Sequence, residues 1–463
     1  MKKSKKVLAL LVCIFMTAGS LTACLSDKNS GDNGGNESSG NNQQASVEGN
    51  GNGTNEGTNE EGKKPEDYEG EISFWHFNSS EGPKIVEAFN KLYPNIKVKM
   101  TIVSDRDSQY QNKLTTAIRS GTGVPDVFVA ESAFAKRLVE MPGAFADLNQ
   151  MAKDVVSKMI PFTVQVGTDK NGVVKALSHQ AAPGAIAYKK PVAKKYLGTD
   201  DPKDIAQMMS SEEKMLETAR ILKEKSGGKV ALFPTWEEPK KIYLGARNQG
   251  WVVDNKLVID DKVLQLIDFS KTLRDNKYEA ALTQWTPGWA SAIADDEKAM
   301  VLACPPWGVP WIINSNDQKA ADGGRWGITT APFNYFWGGT WMGIYDKSQQ
   351  KELAWEFLKF FTANKDTLRK WALDNQDFPN NLDILAEGAP SDSKVVGTNL
   401  FKFYEPFVKE INGEVLTQYD DIIERAFDNS MTSYLAGKYK TKDEMLKAFK
   451  DNIKSNLKDI QVE

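Results

Sequence analysis

Cysteine and histidine are nearly missing from this chain: three of the first and two of the second occur among 463 residues. Cys13 and Cys24 sit in or beside an N-terminal apolar stretch, which leaves Cys304 alone in the main body, where no disulfide can then form. Cys304 ends the apolar run Ala299-Met300-Val301-Leu302-Ala303, the setting of a buried, unreactive thiol rather than a nucleophile. With only His76 and His179 available there is no H-E-x-x-H, and C-x-x-C, G-x-S-x-G and P-loop spacings are absent as well. Zinc, acyl-enzyme and nucleotide chemistries lose their usual residues, and no metal or other cofactor is expected. A surplus of one charge sign is also lacking. The chain has 58 Lys+Arg against 62 Asp+Glu, and from Gly70 onward the count is 51 basic and 52 acidic. So balanced a body lacks the clustered positive charge on which nucleic-acid binding rests, and offers no bulk attraction for a strongly anionic ligand.

Long apolar runs are missing too. The run Val7 to Phe15 is too short to stay in a bilayer as a spanning helix. It follows Lys2, Lys3, Lys5 and Lys6 and leads to Leu21-Thr22-Ala23-Cys24, so residues 1–23 read as a secretory signal closing on a lipobox. In that chemistry the Cys24 thiol is acylated and the chain is cut just before it. The body is then held on the outer face of a bacterial cell membrane. A single lipid chain holds poorly, so Cys24 must carry diacylation, palmitate included, for stable anchoring. The plainer alternative is an ordinary cleaved signal in which Cys24 is incidental. Residues 24–69 form a Gly-, Asn- and acid-rich linker with almost no apolar residue, expected to be disordered. Its span is on the order of 35–40 Å. Asp27 to Gly35 looks faintly like a calcium loop but lacks the spacing and closing Glu of one.

What remains, roughly 390 residues, exceeds what one core usually supports, so two lobes are expected. Glu71 to Phe77 reads as a strand, and Pro83 opens a helix with Ile85, Val86, Phe89 and Leu92 on one face. Ile96, Val98, Met100 and Ile102 alternate as a second strand. Tyr110, Leu114, Ala117 and Ile118 mark a helix stopped by Gly121, and Pro125 to Ala130 is a third strand before a helix from Phe134. This order implies parallel strands, with ligands beyond their carboxyl ends. Later strands are expected at Lys229–Phe233, Lys298–Ala303, Arg325–Pro332 and Thr340–Tyr345. Helices are expected at Pro239–Ala246, Val263–Arg274, Ser348–Asn364, Asp420–Leu435 and Thr441–Leu457.

Tryptophan is abundant and uneven. Seven of the twelve (Trp285, Trp289, Trp307, Trp311, Trp326, Trp337, Trp341) fall within 57 residues, several beside Gly and Pro. A loop indole offers a flat face for the C–H face of a sugar ring, while nearby amides and carboxylates hold hydroxyls. Trp75, Trp285, Trp289, Trp307, Trp337 and Trp341 are the candidate plates; Trp326, Trp355 and Trp371, in strand or helix context, are expected in the core. His76 and Asn78 after the first strand, Glu131 after the third, His179-Gln180, and Trp236-Glu237 are placed to face a cleft. Each could instead cap a helix or fill a turn.

Taken in order, these segments resemble the extracellular solute-binding proteins of carbohydrate ABC importers, the maltodextrin-binding-protein-like family 1. The resemblance runs through Glu71–Trp75, Phe89, Pro94 and Ile96–Val98; Leu114–Gly121 with Pro125-Asp126-Val127; Ala187-Tyr188-Lys189 and Tyr196-Leu197-Gly198; and Met300–Trp307, Gly327–Pro332, Gly338-Gly339 and Ile344. It implies an α/β, two-lobed periplasmic-binding-protein type II fold, each lobe a mostly parallel sheet flanked by helices, joined by a hinge of crossovers. Lobe 1 would be residues 70–181 with roughly 330–378, and lobe 2 roughly 182–329 with 379–463. Trp75 to Asn78, Glu131, Trp307 and Tyr419 match positions where sugar-binding relatives contact ligand, although His76 and Glu131 differ in type from many members. The implied protein is a non-enzymatic, monomeric receptor that closes on a neutral oligosaccharide, such as a cellodextrin-like gluco-oligosaccharide. It would hand that ligand to an ABC permease. The alternatives are a surface glycoside hydrolase, with Glu131 and Glu237 nominated as its pair, a sugar sensor for a receptor kinase, and a peptide receptor.

Overall fold

Gly70–His76 (β1) alternates in burial, with Ile72, Phe74 and His76 inward and Glu71, Ser73 and Trp75 on the other side, as the two-residue period of a strand requires. The structure, a computed structural model, describes residues 63–463 apart from Ala389 and the Asp107 side chain. The expected signal, Cys24 and nearly all of the 24–69 linker lie outside the described residues. Helix α1 (Glu81–Leu92) buries Ile85 and Phe89. Leu92, expected inward, is 42 % exposed. The inner place is taken by Tyr93, stacked on Phe89 with ring centroids 4.6 Å apart. Strand β2 (Ile96–Ile102) pairs parallel with β1 from Gly70↔Ile96 to His76↔Ile102. Helix α2 (Gln109–Ser120) ends at Gly121, whose φ of 67° is the left-handed stop that glycine supplies. Strand β3 (Val127–Glu131), parallel to β1, runs directly into α3 (Ser132–Glu140).

The remaining strands are β4 (Leu177–Ser178), β5 (Ala185–Lys189), a small hairpin of β6 (Val252–Val253) and β7 (Lys256–Leu257), β8 (Val301–Cys304), β9 (Trp326–Thr329), β10 (Thr340–Ile344) and a second small hairpin of β11 (Asp392–Ser393) and β12 (Thr398–Asn399). The first sheet has the order β2-β1-β3-β10-β4, with β10 antiparallel to both neighbours. The second has the order β8-β5-β9, and here the parallel expectation needs correcting: β5 is antiparallel to both of its partners. The reason is where the chain enters. β5 begins at Ala185, opposite Cys304 at the end of β8, so it starts at the edge where β8 and β9 finish. The strand expected at 229–233 is reduced to single parallel bridges, Ala231↔Ala299 and Phe233↔Glu279.

The two sheets carry separate cores. Phe74, Phe89, Phe128 and Trp341 pack with Phe357, Leu358 and Phe361 of the helix Lys351–Thr362. Around the second sheet, Tyr188, Leu222, Ile242, Leu266 and Met300 pack with Phe427 and Phe449 of the helices Asp420–Leu435 and Lys442–Asn456. Between the sheets three crossing segments lie side by side. The middle one donates from Ala181 N to Phe378 O (3.0 Å) and from Gly184 N to Tyr335 O (2.7 Å), and accepts at Ala182 O from Trp337 N (3.0 Å). Gly184 is required there: a Cβ would stand 2.1 Å from the Tyr335 ring. No helix among the described residues is long and apolar enough to cross a membrane.

Candidate functional site

Beside these crossing segments lies a cleft of about 620 Å³, walled on one side by strand ends of the first sheet and on the other by helices and loops that pack around the second. Its first wall is built from the carboxyl ends of β1 and β3, as parallel topology predicts. After β1, Asn78 turns the chain into α1, its Oδ1 accepting from Ser80 N (2.8 Å) and Glu81 N (3.1 Å). After β3, Glu131 caps α3, accepting from Ala133 N (2.8 Å) and Ser132 Oγ (2.7 Å). Burial raises the Glu131 carboxyl above its ordinary value, against these two hydrogen bonds and the more distant charge of Lys241. Both residues line the cleft; Glu131 also caps α3, while Asn78 holds the turn that leads into α1.

The second wall comes from the helix Glu237–Gly245 and the start of the helix Asp420–Leu435. Two ion pairs tie these helices together: Lys240 Nζ lies 2.7 Å from both Asp428 oxygens, and Arg247 Nη2 3.2 Å from Asp420 Oδ2. Burial lifts Asp420 to about 6 despite Arg247. Lys241, which makes no ion pair or hydrogen bond to the described residues, holds its Nζ 5.2 Å from the Trp337 ring. Burial first, and Lys240 next, push its ammonium below the usual lysine value.

Aromatic plates complete the cleft. Trp307, on the turn after β8, donates Nε1–H to Trp337 O (2.9 Å) and meets the Trp337 ring edge-on at 5.0 Å. Trp285 lies 6.3 Å from Trp337, is 61 % exposed, and holds a φ of 63° that non-glycine residues rarely adopt. Trp311 at 47 % exposure, with Phe77, Phe336 and Trp371, extends the apolar lining.

Of the sequence candidates, the cleft is lined by Asn78, Glu131, Gln180, Trp285, Trp307 and Trp337. The others lie elsewhere. Trp289, Trp341 and Trp236 are core residues, 2 %, 1 % and 5 % exposed. Trp289 and Trp341 are fixed by their indole N–H, to Glu238 Oε1 (2.9 Å) and Thr163 O (2.8 Å) respectively. Trp75 points to the opposite face of β1, under Lys113 Nζ at 4.5 Å. Glu237 turns away to accept from Gln284 N (2.7 Å), and Tyr419 packs half-buried against the second core. His76 and His179, 0 % and 3 % exposed, lie beneath the first wall. Burial holds both imidazoles neutral, at about 3. Between them stands Glu81, a wall residue that sequence reasoning missed, with Asp377 and Trp371 next to it. Gln180, its amide turned to donate, reaches both Asp377 oxygens at 2.7 and 2.9 Å. The Cys304 thiol is buried and its ionisation pushed far up by burial. No group of metal-ligating side chains occurs among the described residues.

Two sheets joined by three crossing segments, with a ligand-sized cleft beside them, define a two-lobed fold of the periplasmic-binding-protein type. A model of the bacterial extracellular solute-binding proteins matches residues 84–396, and the chain belongs to that family. It is 21 % identical over 419 residues to an arabinooligosaccharide-binding protein of Halalkalibacterium halodurans, covering 85 % of this chain and 91 % of that one. Among solved structures it resembles an extracellular solute-binding protein family 1 member (TM-score 0.74, 17 % identity, 83 % of this chain and 99 % of that one). It also resembles the galacto-N-biose-/lacto-N-biose I-binding protein of the ABC transporter from Bifidobacterium longum, in complex with lacto-N-biose (TM-score 0.67, 19 % identity, 84 % and 98 %).

Proposed function

We propose that this protein is the receptor of a sugar ABC importer: a monomer, lipid-anchored through Cys24, that captures a neutral oligosaccharide between its lobes and delivers it to a membrane permease. The observation that carries the reading is the cleft lining, where Trp285, Trp307, Trp311, Trp337 and Trp371 alternate with Asn78, Glu81, Glu131, Gln180 and Asp377. Flat apolar faces interleaved with carboxylates and amides suit a molecule with C–H faces and hydroxyl edges. A volume of about 620 Å³ fits a short oligomer better than a free monosaccharide. The printed specificities of the relatives, arabino-oligosaccharide and lacto-N-biose, support the same class. Closure follows from bridging: a ligand touching both walls binds the closed form better and draws the population toward it. The hydrolase alternative loses its pair, since Glu131 caps α3 and Glu237 does not line the cleft.

Calorimetry at pH 6.5 with graded arabino-oligosaccharides, cellodextrins and maltodextrins tests the proposal. Saturable binding with the sugar recovered intact supports it. Cleavage would return the hydrolase reading, and binding of peptides but of no sugar would overturn it. Mass spectrometry of the mature N-terminus, expected to show acylated Cys24, tests the anchor.

A further inference from the structure

Glu81 occupies an unusual place. Its carboxyl is 13 % exposed and makes no hydrogen bond to the described residues. His179 Nε2 lies 3.3 Å from Glu81 Oε1, and His76 Nε2 3.8 Å from Oε2. His76 Nδ1 accepts from Asn78 N (2.9 Å), so the neutral ring carries its proton on Nε2, aimed at Glu81. Neither Nε2 has a hydrogen-bond partner, although both rings are more than nine-tenths buried. Such orphaned buried nitrogens mark a site left incomplete until something else arrives. The groups facing Glu81 are His76 from β1, His179 from the crossing segment that holds Ala181 and Gly184, Asp377 from the one that holds Phe378, and Lys84 one turn along α1. Helix Lys351–Thr362 adds only the apolar Phe361, tilted against His179 at 4.4 Å. Trp371 stands at the same end of the cleft, meeting His179 edge-on at 5.9 Å.

We propose that Glu81, with Asp377 beside it, fixes one sugar unit at the Trp371 end of the cleft, and does so as a carboxylic acid that takes up a proton when the sugar closes over it. This rests on the sugar-receptor reading above. An acid keeps both a donor and an acceptor for ring hydroxyls, whereas two adjacent carboxylates repel and offer acceptors only. The sugar displaces the remaining water from Glu81 and removes what still stabilises the charged form. Burial first, and Asp377 next, already hold Glu81 at about 8, and burial holds Asp377 at about 7. The bound form therefore holds more protons than the free form, and affinity must fall as pH rises through this range.

The test is calorimetry with the tightest-binding sugar of the panel from pH 6 to 9, in two buffers of different ionisation enthalpy. Wild type is expected to take up protons on binding near pH 8, where free Glu81 is partly ionised, and to lose at least about five-fold in affinity between pH 6.5 and 9. Glu81→Gln, which keeps a donor and an acceptor but cannot titrate, should lose the affinity slope above pH 7.5 and the proton uptake that goes with it. Glu81→Ala, with folding checked by circular dichroism, should bind more than ten-fold more weakly. A flat wild-type profile, affinity rising with pH, or a Glu81→Gln profile matching wild type would overturn the assignment. If no sugar binds wild type at pH 6.5, the receptor reading itself fails; sugar binding without proton uptake sinks only the role of Glu81.

Discussion

The indoles of this protein divide by what holds their N–H and by what surrounds their faces. Trp289, Trp326 and Trp341 give their protons to Glu238, Asp317 and Thr163, at 2.9, 2.9 and 2.8 Å, and are sealed in the core. Trp285 and Trp311 keep large exposed faces at the cleft. Trp289→Ala should therefore cost about 3–5 kcal/mol of stability in denaturant titrations, since it empties a core site and strips Glu238 of a donor. Trp307→Ala should leave the fold cooperative while weakening sugar binding more than ten-fold by calorimetry, as a buried aromatic anchor would. The sequence could say that tryptophans cluster here but not which face each presents. Trp285 and Trp289 are one helical turn apart in sequence, yet the left-handed residue at Trp285 turns one outward and leaves the other in. Glu81 went unnoticed because a Glu opening a helix is ordinarily a solvated, dipole-matched residue. Its meaning comes from two distant histidines. Trp371 reads as a core residue from its helix, yet that helix borders the cleft.

At the scale of elements, periodicity was readable wherever one element packs on one layer. β1, α1, α2 and the helices Lys351–Thr362 and Asp420–Leu435 fall within a few residues of their patterns, because a single buried face writes a clean period into the chain. Short strands such as β4 and the crossing segments carry no such pattern, because neighbours enclose them on both faces. Nor does local sequence encode the direction of β5, which is fixed by where the chain enters the second sheet. The crossing segments are correspondingly intolerant. Gly184→Ala should lower stability by about 1–3 kcal/mol, since the added carbon must displace the Tyr335 ring and disturb the Tyr335 Oη–Ala185 O hydrogen bond of 2.6 Å. Thermal denaturation of that variant checks it, and an unchanged midpoint would show that the crossing packs more loosely than described.

For the molecule as a whole, charge placement ties the two walls together and sets the pH response. Arg137 of α3 reaches across to Asp421 at the start of the helix Asp420–Leu435, so one ion pair joins the two walls. Arg137→Ala should change the binding of every oligosaccharide by a common factor, because it removes a contact between the walls that belongs to no ligand. A loss confined to one sugar would contradict that. Glu81, Glu238 and Asp377 are lifted to about 8, 7 and 7, chiefly by burial. Their folded forms keep protons that the unfolded chain has released, so stability should fall from pH 6.5 to 8. His76 and His179, depressed to about 3, act oppositely, withdrawing stability only as pH drops below 6.5. Melting temperatures across pH 5–9 in ligand-free protein should therefore decline on the alkaline side, and a flat or rising profile there would contradict the buried acids.

The interleaved strand order also bears on how the protein is made. β3 finds one partner in β1 nearby, but its other neighbour, β10, is synthesised only after the whole second sheet. Until Thr340–Ile344 emerges, a nascent chain carries an open, apolar strand edge, Val-Phe-Val-Ala, with nothing to cover it. Such a chain gains most from being kept unfolded until synthesis is complete, a condition that suits export through a narrow translocation channel.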